Sequence, residues 1–200
     1  IAQKYNIAAF KDKSVEGIRA IIQAPPGSAA LPPKERWDMW YKHMSQVRRA
    51  YVSPAAIGEL IEGVLVEAAG NEVDIIELRV SLISTVCALL DNMGIPQTPQ
   101  NFITHAPLVL EEILKAIERQ KETISTDFVM SFTAQNKYVS YLQALSDITR
   151  AYRKHIIALD ITNERDRSPL ALAPVIDGLR QDVRFLTIHC MEIMGPERGR

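Results

Sequence analysis

A histidine and a glutamate near the carboxyl end of the chain, three residues apart, could carry hydrolytic chemistry. His189 ends the apolar run 183–189, and Glu192 follows it within the segment LTIHCMEIMGPE. A neutral imidazole at a strand end can ligate zinc, and a carboxyl group beside it, partly removed from water, can have a raised pKa and donate a proton. A histidine at a strand end also serves commonly as a hydrogen-bonded structural residue, so both roles stay open for His189.

A second pair of charged residues, Glu77 and Arg79, lies in the run VDIIELRVS. Residues two apart in a strand share a face, so these charges can neutralise one another or pair with neighbouring strands. Because charges in a low-dielectric interior require partners, we expect Glu77 and Arg79 to form a structural polar network, with substrate contact as the alternative.

A group of aromatic residues stands among basic ones in the first quarter of the chain. The aromatic residues are Trp37, Trp40 and Tyr41, and the basic ones are Lys34, Arg36, Lys42, Arg48 and Arg49. We interpret the aromatic side chains as helix packing, with a base-stacking and phosphate-contacting patch as the alternative.

Segments with helical and strand-like periodicity alternate along the chain and would position these residues. The strand-like runs are 73–81, 127–134, 155–161 and 183–189. Helical spacing of apolar residues predicts helices over 53–69, 107–121, 138–153 and from Ser168 onward. The connection 82–125 is long enough for an added helix or an interface. This alternation predicts an α/β fold with parallel strands.

The predicted strands have one apolar face and one face that becomes polar toward the carboxyl end. Ser131 follows Val129 on one face of the second strand, and Thr187 shares a face of the fourth with His189. An open doubly wound sheet, covered on both sides, would have more continuously apolar strands, whereas the mouth of a (β/α)₈ barrel gathers polar groups. We therefore predict part of a TIM (β/α)₈ barrel, since a whole barrel needs about 250 residues and eight strands.

Four segments, in order along the chain, resemble the metal-dependent adenosine and AMP deaminases. LTIHCMEIMGPE is similar to that family's LTxHAGE motif, and VDIIELRVS to its second-strand Y-x-E-x-R-x-S-P pattern, with Leu82 in place of proline. HIIALDITNE resembles the fourth-strand GxDLxGxE segment, and IAQKYNI resembles the helix after the family's first strand. The resemblance implies that residues 1–200 are a portion of one metallo-dependent hydrolase barrel, with strands 2 to 5 present and the first strand and the last three lacking.

The resemblance also implies a reaction and the residues that perform it. The family hydrolyses the amine of an adenine nucleoside or nucleotide with the help of zinc, Zn²⁺, and releases ammonia. Carried over by position, His189 is the metal ligand of the fifth strand, and Glu192 is the catalytic proton donor to the purine ring. Asp160 and Asn163 are the candidate substrate-binding residues, Asn163 standing in for a glycine of the family. The remaining zinc ligands would lie outside this sequence.

Departures from the family pattern leave alternatives open. No HxH motif occurs in the 200 residues, and Cys190 and Met191 replace the small pair of the family's HAGE motif. Catalytic zinc needs about three protein ligands, so we expect the 200-residue polypeptide alone neither to hold zinc tightly nor to deaminate adenosine. The alternatives are another metal-dependent amidohydrolase, a divergent deaminase-like domain of a bacterial antiviral-defence assembly acting on ATP or adenosine, and a non-catalytic barrel for oligomerisation or interaction.

The composition restricts the partners and the location that we expect. Lys and Arg number 23 against 24 for Asp and Glu, a net charge of −1 that gives no electrostatic case for a nucleic-acid partner. The chain has two cysteines outside any CxxC pair, and no apolar run approaches a membrane span of about 20 residues. We expect a cytoplasmic protein without a membrane partner. The resemblance to the deaminases, not the composition, implies an adenine nucleoside or nucleotide as the ligand and a homo-oligomer or a larger defence complex as the assembly.

Overall fold

In the part of the chain that the structure describes, the sheet has four parallel strands in chain order. The computed structural model describes residues 1–23, 26–133, 136–162, 177 and 183–188. The strands are β1 (Ile75–Ser81), β2 (Ser125–Thr133), β3 (Ala158–Thr162) and β4 (Phe185–Ile188). Each pairs with the next in the order β1-β2-β3-β4, and every pair is parallel. The predicted α/β class is therefore confirmed.

Helices connect and cover these strands. They are α1 (Val15–Ile22), α2 (Pro33–Val47), α3 (Pro54–Gly70), α4 (Leu82–Asn92), α5 (Pro99–Gln120) and α6 (Leu142–Ala151). Short 3₁₀ segments occupy Ser28–Ala30, Arg48–Ala50 and Asn136–Tyr141. α3 begins where its sequence predicts, because the Ala56 N–H donates to Ser53 Oγ at 3.1 Å and Pro54 fills the first turn. The helix predicted from Ser168 onward lies outside the described residues, apart from the helical Asp177.

The connection between β1 and β2 contains two helices, α4 and α5, and α5 begins earlier than predicted. α5 begins at Pro99, where the Asn101 N–H donates to Thr98 Oγ1 at 3.2 Å, so the start predicted at 107 is wrong. Pro107 lies inside this helix. α4 fills 82–92, and eight of its 11 residues are buried, so it has no polar stripe to reveal its period. Smaller shifts affect the predicted helix 138–153, whose first turns are 3₁₀, and the starts of β3 and β4.

The main hydrophobic core lies between one face of the sheet and helices α4, α5 and α6. The strands contribute Leu78, Val80, Phe128, Met130, Phe132, Leu159 and Ile161 to it. α3 packs along α5, and a smaller cluster around Ile7 and Phe10 attaches the first residues of the chain. Among the described helices, none combines the length and the apolar character that crossing a bilayer requires.

Candidate functional site at the carboxyl ends of the strands

The face of the sheet opposite the core carries a row of four polar side chains, one from each strand. The register aligns Ser81 with Ser131, Ser131 with Asp160, and Asp160 with Thr187. Residues in register in a parallel sheet project from the same face, so these four lie side by side in the carboxyl halves of their strands. Ser131 and Asp160 are buried, although both are polar. Buried polar groups require hydrogen-bond partners, and the row supplies them.

Asp160 is the centre of this row and is completely buried. Its Oδ1 accepts a hydrogen bond from the Thr187 hydroxyl at 2.6 Å, and its Oδ2 accepts one from the Ser131 hydroxyl at 3.0 Å. Nη1 of Arg79 lies 3.5 Å from Oδ1. Both carboxylate oxygens therefore have donors, and one side chain of β3 connects β1, β2 and β4.

Arg79 extends this polar network to Glu77. Its Nη2 donates to Glu77 Oε2 at 2.9 Å, and both of these side chains are more exposed than that of Asp160. The hydrogen bond to Glu77 raises the pKa of Arg79 above its usual value, and the negative charge of Asp160 adds to this effect. Arg79 thus remains a cation between two carboxylates. The structure brings together three residues singled out in the sequence: Glu77, Arg79 and Asp160.

A cavity of about 430 Å³ opens beside these strand ends. We call it the aromatic cavity, because its lining includes Trp37, Trp40, Tyr41 and Tyr51, together with Arg48, four side chains of α3, and Arg79, Ser81 and Thr162 from the strands. The rings of Trp37 and Trp40 are 4.9 Å apart. Helix packing alone does not describe these side chains, since they also form a wall facing polar strand ends. Such a lining suits a flat ligand with polar edges.

The structure does not describe the three remaining predicted site residues. His189, Glu192 and Asn163 lie outside the described residues. Of the other histidines, His43 and His105 each have Nδ1 2.8 Å from a backbone carbonyl oxygen, of Ile21 and Asn101 respectively. In the part of the chain that is described, no three His, Cys, Asp or Glu side chains converge to hold a metal ion.

Comparison with protein-family models and with curated proteins identifies no family for this chain. No protein-family model matches it, and no curated protein matches it significantly. The polar row, the aromatic cavity and the order of the strands are therefore the features from which a function can be inferred.

Proposed function

We propose that this chain is part of a zinc-dependent enzyme that deaminates an adenine nucleoside or nucleotide and releases ammonia. One observation carries the proposal: two segments that resemble the deaminase family contain β1 and β3, and a third begins within β4, and the carboxyl ends of these parallel strands lie on one side of the sheet. Enzymes with parallel strands place their chemistry at that side. Asn163 follows β3 directly along the chain, and His189 follows β4 directly.

The order of the strands supports a partial (β/α)₈ barrel as the frame of the proposed site. A barrel adds each new parallel strand next to the preceding one, whereas a doubly wound sheet reverses its order at a switch point. Among the described strands, the order β1-β2-β3-β4 contains no such reversal. One face of the sheet packs against helices and the other borders the polar network, as the outside and inside of a barrel require.

The proposed reaction replaces the exocyclic amine of the adenine ring by oxygen, adds a proton to a ring nitrogen and releases ammonia. Bound zinc would supply a water molecule whose pKa is lowered toward about 7. His189 would hold the metal together with ligands from outside this sequence, and Glu192 would donate the proton to the ring nitrogen. Asp160 would act as a positioning residue, since it links β3 to β2 and β4 beneath the site by accepting hydrogen bonds from Ser131 and Thr187.

The aromatic cavity supports a purine ring as the bound group. Aromatic side chains bind nucleobases by stacking, and Trp37, Trp40 and Tyr41 line the cavity. Arg79 and Ser81 line the same cavity and add polar groups to its wall, which suits a ligand with polar edges.

Ammonia release from adenosine, AMP and ATP, measured with the zinc-loaded full-length protein, tests the proposal. Glu192→Gln keeps the shape of the side chain but removes the proton donor, so we expect kcat to fall by about 10²- to 10⁴-fold with the zinc content unchanged. His189→Ala should lose both zinc and activity.

Two exposed residues outside the site provide matched controls, Glu122→Gln and His155→Ala. We expect both control variants to retain zinc and activity. Full activity of Glu192→Gln would contradict the assigned role of that residue. A zinc-loaded protein that releases no ammonia from any of the three substrates would contradict the proposed function itself.

A further inference from the structure

Three cations converge on a second, smaller cavity of about 270 Å³. Arg48 and Arg49 belong to the 3₁₀ turn after α2, and Lys137 belongs to the 3₁₀ segment after β2. Asp91 is the one acidic residue among the described residues that line this cavity. With three positive side chains and one negative, we call it the cationic cavity.

In the part of the chain that the structure describes, the polar contacts of these cations are with neutral groups. Arg48 Nη1 donates to the Tyr41 hydroxyl at 3.5 Å, and Arg49 Nη1 donates to Gln46 Oε1 at 3.3 Å. Lys137 Nζ lies 4.7 Å from the centre of the Tyr138 ring. None of the three forms an ion pair within the described residues, whereas Arg79, Lys115 and Arg119 each do. The positive charge in the cavity is therefore not compensated by a contacting carboxylate.

The turn that carries the two arginines is held in place by hydrogen bonds. The side-chain amide of Asn92, at the end of α4, donates to the Arg48 carbonyl oxygen at 2.8 Å and to the Tyr51 carbonyl oxygen at 3.0 Å. These two carbonyl groups belong to residues that precede and follow Arg49 in the chain. The arginines thus project from a backbone that is fixed to α4, and a fixed backbone lowers the entropy cost of binding a ligand.

We propose that the cationic cavity binds a phosphate group. Guanidinium groups pair with phosphate through two parallel N–H donors, and a lysine ammonium adds a point charge. The amide side chain of Gln97, also in the lining, provides a neutral donor. A bound phosphate offsets the repulsion among Arg48, Arg49 and Lys137, whereas Asp91 adds one negative charge to the cavity without forming an ion pair with any of them in the described residues.

The position of the cationic cavity suggests where the phosphate comes from. Arg48 and Ser84 line both this cavity and the aromatic cavity, so the two are adjacent. A nucleotide with its base in the aromatic cavity could place its phosphate in the cationic one. This assignment rests on the proposed function, whereas the phosphate site itself rests only on the cations. A free phosphate ion is the other source of the same chemistry.

Binding of inorganic phosphate to the full chain, measured by calorimetry at constant ionic strength, tests the site. The variant Arg49→Gln/Lys137→Gln removes two exposed cations that line only the cationic cavity. Arg153→Gln/Lys154→Gln makes the same change of charge at exposed residues outside both cavities. We expect the first variant to bind phosphate at least about 10-fold more weakly and the second to bind within about 2-fold of the unmodified chain. No phosphate binding, or an equal loss in both variants, would overturn the proposal.

Competition with AMP distinguishes the two sources of phosphate. If the cavity holds the phosphate of a nucleotide, AMP binds more tightly than adenosine, and this advantage disappears in Arg49→Gln/Lys137→Gln. If it holds free phosphate, adenosine and phosphate bind together, and AMP has no advantage. Both results support a phosphate site, and both can be obtained even if the protein deaminates nothing. The two proposals can therefore fail separately.

Discussion

Asp160 is the residue on which most of the sheet's polar network depends. Asp160→Asn keeps the volume but removes the negative charge near Arg79 and replaces one acceptor oxygen by a donor, opposite the hydroxyl group of either Ser131 or Thr187. Arg79 is partly exposed, so losing its ion pair costs less than losing a fully buried pair, and an unsatisfied buried group costs about 1–3 kcal/mol. We therefore expect the free energy of unfolding to fall by about 2 kcal/mol. Urea unfolding at neutral pH measures this loss.

Asp127→Asn is the matched control, since Asp127 is half-buried and lies on the same face of the sheet, in register with Glu77. We expect a change of less than about 0.5 kcal/mol, typical of a site outside such a network. Equal losses in the two variants would show that the network around Asp160 does not have the stabilising role that its geometry indicates.

Individual residues were partly predictable from the sequence. Alternation within β3 and β4 indicated that Asp160 and Thr187 lie on polar faces, but alternation cannot tell which residue of one strand faces which residue of another. That depends on register, which the packing of the helices and the turns sets over long distances in the chain. The Arg79–Asp160 and Thr187–Asp160 contacts were therefore not predicted, whereas Glu77 and Arg79, two residues apart, could be considered together.

The pairing of α3 with α5 depends on a close approach at Gly58. A Cβ atom on Gly58 would lie 3.0 Å from both the Cβ atom and the carbonyl oxygen of Glu112, and the backbone of α5 cannot easily move away. We expect Gly58→Ala to lower the free energy of unfolding by about 1–3 kcal/mol through overpacking. Gly63 lies in the same helix with nothing within 4 Å of its Cβ position, so Gly63→Ala should stabilise by about 0.5–1 kcal/mol. Chemical denaturation of both variants tests whether the two changes in the free energy of unfolding have opposite signs. A Gly58→Ala variant as stable as the unmodified chain would contradict the close approach of the two helices.

An ion pair between the same two helices makes stability depend on pH. Arg119 donates from Nε and Nη2 to the Glu62 carboxylate at 2.8–3.0 Å, and these hydrogen bonds lower the pKa of Glu62 from its usual 4.5. Since the unfolded chain has the higher pKa, the pair stabilises fully above pH 4.5, and its contribution is lost as the pH falls through the lower folded value. We expect Arg119→Gln to cost about 0.5–1 kcal/mol at pH 7 and progressively less below pH 4.5.

Thermal unfolding of Arg119→Gln and the unmodified chain between pH 3 and pH 7, about the range over which carboxylates titrate, measures this difference. Lys121→Gln removes a cation whose partner, Glu118, lies in the same exposed turn, so we expect little change at any pH. A difference for Arg119→Gln that is independent of pH would show that its effect does not come from Glu62.

The helices were predictable where a cap or an amphipathic stripe marks them. Ser53-Pro54 marks the start of α3 in both the sequence and the structure. α4 is buried on most sides, so its apolar residues show no helical period. The sequence pattern predicts the start of α5 too late, because Pro107 is typical of a helix start. The proline that follows the Thr98 cap, Pro99, lies eight residues earlier. A proline inside a helix costs one backbone hydrogen bond, and the packing of this 22-residue helix outweighs that cost.

The sheet as a whole has central and outer strands, and this difference predicts how the backbone exchanges hydrogen with solvent. In the described residues, β2 pairs with strands on both sides, as does β3, whereas β1 pairs only with β2. Amide groups that are hydrogen-bonded to a neighbouring strand should exchange slowly, at rates set by unfolding, whereas those that point to an open edge of the sheet should exchange quickly. We expect the slowest exchange at 128–132 and 158–161, and alternating fast and slow amides along β1.

Hydrogen–deuterium exchange of the folded chain, resolved at single amides by NMR, tests this pattern and the barrel at once. A closed barrel has no strand edges, so its outer strands acquire neighbours on both sides. Alternating protection along β1 means that the edge of β1 is open in the 200-residue chain. Uniform protection of 75–81, at the level of β2, would contradict this prediction, because it requires another segment or a second copy to pair with β1. Repeating the measurement over a range of protein concentrations separates these two, since only pairing between copies weakens on dilution.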